Sequence, residues 1–138
     1  MKHLLTILIL CLLTFSCKKT GCTDVTAVNY DPEAEIGNNS CVFEGKIQFV
    51  MKNGNYADLG FDTVYVYVDN NYLGKQATTE VWLEPVNCST ELPLVYKEEM
   101  GDVVSKPIQY RIQTIDSFII NEQSMNLIRS RCQEVPLY

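Results

Sequence analysis

The sequence predicts an all-β protein: a small antiparallel β-sandwich over residues 44–138, preceded by a short loop-rich module at residues 21–43. Three observations predict it. Apolar and polar residues alternate with a period of two in several short runs, of which residues 63–68, TVYVYV, are the clearest. Six or seven such runs recur about every ten residues, with Asn, Asp, Gly and Pro between them. No stretch carries a convincing 3.6-residue apolar period, so no amphipathic helix is expected.

The chain opens on MKHLLTILILCLLTFSC, residues 1–17. Lys2 and His3 supply a short polar start, Leu4 to Phe15 is apolar except for Thr6 and Thr14, and Ser16 is a small residue directly before Cys17. About 12 apolar residues are too few to cross a hydrocarbon core of roughly 30 Å, which takes about 20, so this is an export signal rather than a spanning helix. The junction resembles that of bacterial lipoprotein signal peptides, in which a small residue precedes a cysteine that becomes lipidated. The resemblance implies a signal peptide at residues 1–16, acyl chains such as palmitate on Cys17, and a tether at 17–20. It further implies a membrane as partner through that lipid and a place in the bacterial cell envelope, most readily the outer membrane.

Removal of residues 1–16 leaves 122 residues, enough for one small domain and a short appendage. Lys2 is the only charged residue lost, so 10 Lys and Arg face 17 Asp and Glu and the formal charge moves from −6 to −7. An acidic chain with no basic stripe repels phosphate backbones, which argues against nucleic acid as a partner. The single histidine, His3, leaves with the signal, and with it every Ser-His, Cys-His and His-metal arrangement. Four cysteines remain beyond Cys17: Cys22, Cys41, Cys88 and Cys132. An exported chain with an even set of cysteines favours disulfides, and four allow three pairings.

Residues 21–43, GCTDVTAVNYDPEAEIGNNSCVF, hold no apolar periodicity. Asp31-Pro32 starts a turn, and the segment has too little apolar content to fold without a cross-link. Gly21, Cys22, Thr23, Asp24, Ala27, Asn29, Tyr30, Pro32, Ala34, Ser40 and Cys41 fall, without a gap, on the pattern of a disulfide-bracketed repeat of secreted and surface proteins in the Bacteroidota, which this segment resembles. The resemblance implies a Cys22–Cys41 disulfide. Oxygens on Asp24, Asn29 and Asp31, with Glu33 and Glu35, raise calcium as a cofactor, since a hard cation takes several carboxylate and carbonyl ligands from a flexible loop. Where the repeat has two aspartates and a glycine before Ser-Cys, this chain has Gly37, Asn38 and Asn39, so a solvated polar loop is the expectation and no metal site is assigned.

From Gly45 the pattern changes to strands. Ile47, Phe49 and Met51 alternate with Lys46 and Gln48 up to Asn53-Gly54, a turn dipeptide. Val64, Val66 and Val68 share one face and Thr63, Tyr65 and Tyr67 the other. Asp69-Asn70-Asn71 reads as a tight hairpin into Tyr72-Leu73-Gly74. Residues 81–83 and 92–96 are further short candidates, and Glu98, Glu99, Gly101 and Asp102 form an acidic bend. Tyr110, Ile112 and Thr114 alternate in the next strand. Met125 to Cys132 leads into a last strand ending near Leu137, with a bulge or bend expected close to Gln133 because Val135 and Leu137 change parity.

Such a series argues for an immunoglobulin- or transthyretin-like sandwich. Gly45-Lys46-Ile47, Tyr67-Val68-Asp69, Tyr72-Leu73-Gly74, Cys88 and Cys132 resemble the corresponding features of small sandwich domains of Bacteroidota lipoproteins. That second resemblance implies a Cys88–Cys132 disulfide.

Three groups are candidates for chemistry. Glu98, Glu99 and Asp102 invite comparison with the paired acids of a carbohydrate-active enzyme, but a solvated acidic bend accounts for them better. Tyr65, Tyr67 and Tyr72, with Tyr96 and Tyr110, offer an aromatic face for a sugar or a protein partner. Asp24, Asn29 and Asp31 are the calcium candidates above. The expected function is that of a non-catalytic, lipid-anchored envelope protein, a binding or structural module with an unidentified protein or glycan partner. The alternatives are a calcium-binding surface module and a carboxylate-based enzyme.

Overall fold

The computed structural model describes residues 18–82 and 94–138, so the signal, the Cys17 lipidation site and Cys88 lie outside the described residues. Among the described residues no helix is long and apolar enough to cross a membrane. The chain divides between Cys41 and Val42 into two units.

The first unit is almost coreless. Only Cys22 and Ala27 among its described residues are buried. Two short strands, β1 (Thr20–Gly21) and β2 (Ile36–Gly37), pair in parallel. The Lys19 carbonyl accepts the Glu35 and Ile36 amides, and the Gly21 carbonyl accepts the Asn38 amide. Cys22 and Cys41 form the expected disulfide, with Cα atoms 4.8 Å apart. Closing a loop of that length stabilises by about 3 kcal/mol in the chain-entropy account.

The second unit is a sandwich of two sheets. Its elements are β3 (Glu44–Met51), a single helical turn α1 (Asn55–Asp58), β4 (Thr63–Val68), β5 (Asn71–Ala77), β6 (Val95–Glu99), β7 (Ser105–Gln113), β8 (Ile119–Ile128) and β9 (Cys132–Leu137). One sheet has the order β6-β3-β9 and the other β5-β4-β7-β8. Ile47, Phe49 and Met51 of β3 and Val135 and Leu137 of β9 form one inner face; Val64, Val66 and Val68 of β4, Ile108, Tyr110 and Ile112 of β7 and Leu127 of β8 form the other. Phe49 meets Tyr110 edge to face across the gap, with ring centroids 5.5 Å apart. The valines alternate with half-buried Thr63, Tyr65 and Tyr67 as period-two burial requires. Asp69 and Asn70, both at positive φ, make the two-residue hairpin that joins β4 to β5.

The all-β sandwich is as the sequence predicts, with local differences. β3 pairs with β9 in parallel, so the three-stranded sheet is mixed rather than antiparallel. Asn53-Gly54 makes no hairpin, because β3 and β4 belong to different sheets. The crossing chain instead winds one turn, with Asn53 Oδ1 accepting the Asn55 amide and Tyr56 buried beneath it. Of the short strand expected at 81–83, Leu83 lies outside the described residues, and Val81 and Trp82 belong to no strand, although the Trp82 amide bonds the Met51 carbonyl; Glu98 and Glu99 lie in β6 rather than in the bend. Finally, residues 125–137 are two strands in two sheets, separated by a turn with Ser130 at positive φ. The parity puzzle dissolves: Leu127, Val135 and Leu137, all odd-numbered, are the buried residues, and Ile128 and Cys132 are not core partners. The second unit starts at Val42, so Phe43 belongs with the sandwich, where its carbonyl accepts the Met100 amide and its ring lies under Arg129.

Gly45 marks a close approach of the two sheets, since a Cβ there would stand 2.5 Å from Cγ of the fully buried Leu127. Gly45→Ala is expected to lower stability by about 1–3 kcal/mol through overpacking, and Leu127→Ala by about 2–5 kcal/mol through the void it leaves. Combining the two should cost less than the sum, measured by chemical denaturation as a double-mutant cycle.

Candidate functional site

The four-stranded sheet turns one face to the core and the other outward. On that outer face β4 presents Tyr65 and Tyr67, and β5 folds Tyr72 back against them, with ring centroids 6.3 Å from Tyr65 and 5.4 Å from Tyr67. Tyr72 is 54% exposed. Strand β7 sets Arg111 directly opposite Tyr67, and its guanidinium lies over that ring, 5.1 Å from the centroid. Gln109 and Gln113 share the face by alternation along β7. Arg111 Nε is buried with no hydrogen-bond partner among the described residues, so this stacked cation keeps unspent donor capacity.

The three tyrosines expected to form a face therefore meet, but the other two do not join them. Tyr110 is 6% exposed and points into the core with Ile108 and Ile112, and its hydroxyl donates to Gln123 Oε1. Tyr96 packs against the core from β6, whose register sets it beside the buried Ile47. Sequence reading missed Arg111, whose alternation with Tyr110 and Ile112 was the available signal.

Tyr65 also lines a cleft of about 530 Å³ at one end of the same sheet. Its walls are Phe61, Asp62 and Thr63 from the start of β4, and Ile115, Asp116 and Phe118 from the β7–β8 turn. That turn is held by the Thr114 amide bonding the Phe118 carbonyl, by Thr114 Oγ1 accepting the Phe118 amide, and by Ser117 at positive φ. It pushes Ile115 and Phe118 out to 75% and 64% exposure. The Phe61 and Phe118 rings face each other at 6.5 Å. Neither phenylalanine stands out in the sequence, because each sits in a loop without periodicity, 57 residues from the other.

The calcium candidates do not converge. Asp24 Oδ1 accepts the Thr26 amide and hydroxyl, and Asn29 Nδ2 donates to the Ser40 carbonyl at 2.6 Å. The Asp31 carboxylate takes the Glu33 amide and an ion pair from Lys19, whose ammonium also reaches Glu33 at 2.8 Å. The hydrogen bonds that the Lys19 ammonium donates to Glu33 and then to Asp31 raise the Lys19 pKa, and Lys19 in turn holds Asp31 below its ordinary value. Among the described residues no group of three or more His, Cys, Asp or Glu side chains is placed to hold a metal ion. In the sandwich Cys132 is disulfide-bonded, while Cys88, its implied partner, lies outside the described residues.

The acids considered for glycoside cleavage are dispersed. Glu98 pairs with Lys106 of the opposite sheet and accepts the Tyr96 hydroxyl at 2.8 Å. Lys106 first and Tyr96 second hold Glu98 below the usual carboxylate range, while burial, then Glu98, push Tyr96 up to about 12. Glu99 extends β6, and Asp102 follows Gly101 in the next turn.

The sign of each shift gives a pH dependence. Glu98 has a depressed pKa in the fold, so its contribution is present above the ordinary carboxylate pKa of about 4 and is lost as pH falls through the depressed value. Tyr96 has a raised one, so its contribution is complete below about pH 10 and is lost as pH rises through about 12. In an absorbance titration Tyr96 should ionise near pH 12, and Tyr96→Phe should remove that step. Glu98→Gln should bring the step down and flatten the acid limb of the stability curve. No known family model, curated protein or solved structure matches this chain.

Proposed function

We propose that this chain is a non-catalytic, lipid-anchored protein of the bacterial cell envelope whose sandwich binds an extracellular glycan on the outer face of its four-stranded sheet. The observation that carries the reading is the contiguous cluster of Tyr65, Tyr67 and Tyr72 with Arg111 stacked on Tyr67. Sugar rings present flat C–H faces that stack on aromatic rings, and hydroxyls that pair with amide and guanidinium groups; the tyrosines, Gln109, Gln113 and Arg111 offer both on one surface. Tyr65 continues that surface into the cleft between Phe61 and Phe118, whose volume falls in the range of small-ligand sites. The address rests on residues 1–17, with lipid on Cys17 as the anchor.

A glycan array probed with the full chain tests the binding. Tyr67→Ala and Tyr72→Ala should each weaken the selected glycan about tenfold or more, the scale of a truncated aromatic anchor, while the melting temperature stays within a few degrees of wild type. Failure of every glycan to bind, or binding indifferent to both substitutions, would refute the reading. Mass spectrometry of the native protein should find the N-terminus at an acylated Cys17.

A further inference from the structure

A sheet's edge strands are open to pairing unless they are blocked, and the described strands of the sandwich include four of them. Three carry blocking devices. β5 holds Lys75 and Gly74 and pairs across a register shift; β6 is five residues long with Lys97, Glu98 and Glu99; β9 contains Glu134, ion-paired to Lys52, and Pro136. The fourth, β8, is the longest at ten residues, with Glu122 as its single charge and neither Lys nor Pro. Residues 121–128 keep unbroken antiparallel register with 105–112.

The direction of its backbone groups follows from the hydrogen bonds. Gln109 exchanges bonds with Asp69 on the β4 side, so its partner in register, Ser124, turns its own amide and carbonyl away from β7. By alternation Glu122 does the same, as do Asn126 and Ile128. At those last two positions the Gln133 side chain already acts as a strand would: its Nε2 donates to the Asn126 carbonyl, and its Oε1 accepts the Ile128 amide. Among the described residues nothing covers the groups of Glu122 and Ser124 in this way.

We infer that β8 is the interface of a two-fold dimer, in which a second copy of this chain adds its own β8 antiparallel to the first. The occupant is argued from self-complementarity. The antiparallel register that sets Glu122 opposite Ser124 uses the open groups of both copies and keeps the two Glu122 side chains from facing each other. The same register carries Ile119 of one copy, with exposed Ile115 and Phe118 beside it, toward the Ile128 end of the other. At that end Val103 and Val104 stand exposed, and the Val104 carbonyl accepts the Arg129 amide. Apolar end thus meets apolar end, twice, about one axis.

The full chain in density-matched detergent, with micelles in excess, supplies the test. Sedimentation equilibrium should show reversible dimers. Amide exchange at Glu122 and Ser124 should slow about tenfold or more as the dimer fills, whereas Gln123 and Met125, already bonded to β7, should not change. Ser124→Pro removes an amide that points away from β7, so it should give a monomer with an unchanged circular dichroism spectrum; Ser124→Lys should give the same monomer without altering the backbone. A monomer at every concentration would overturn the inference, as would a dimer that survives both substitutions with the Glu122 and Ser124 amides still exchanging freely.

Discussion

The sandwich depends on the pairing of its first strand with its last. β3 lies between β6 and β9, and the parallel register with β9 sets Phe49 beside Val135 and Met51 beside Leu137 on the inner face. A slip of one residue would turn Val135 and Leu137 outward and leave Phe49 and Met51 without neighbours in their own sheet. The contact joins segments more than 80 residues apart in the chain, so it forms only after a long loop has closed. What rewards that closure is the depth of the core it completes, since Ile47, Phe49, Met51 and Leu137 are all at most 1% exposed. Pro136 fits because β9 is an edge, where a missing amide costs no ladder bond.

Much of this architecture was legible because it obeys local rules. The Val64-Val66-Val68 stripe could be read from its period, and the Asp69-Asn70 hairpin from residues that tolerate positive φ. What was not legible is which sheet each strand joins. Residues 125–137 read as one strand with a fault because their parity changes, and a strand ending, a turn and a second strand in another sheet produce the same signature as a bulge. Asn53-Gly54 shows the same limit: the dipeptide says that the chain bends, as it does, and not which sheet the strand beyond it joins.

The candidate site divides the same way. Tyr65 and Tyr67 could be placed outward by alternation with the buried valines, and Tyr72 through the hairpin that returns it to Tyr67. Tyr96 belongs to the core by a register that no local pattern contains, since Ile47 is its partner from a strand about 50 residues earlier. The cleft was invisible because Phe61 and Phe118 are brought together only by the ends of β4 and β7. In the first unit the disulfide was expected and is present, and with only two of its described residues buried the polypeptide there is shaped by turns, backbone bonds and that cross-link.

The mixed sheet also decides how the sandwich resists force. Tension on the segment preceding β3 is directed along a central strand, so the hydrogen bonds to β6 and β9 are sheared together instead of being peeled one after another from an end. A tug on an edge strand such as β5, taken at right angles to its length, opens its ladder bond by bond. The domain is therefore toughest along the direction in which the segment preceding β3 enters it.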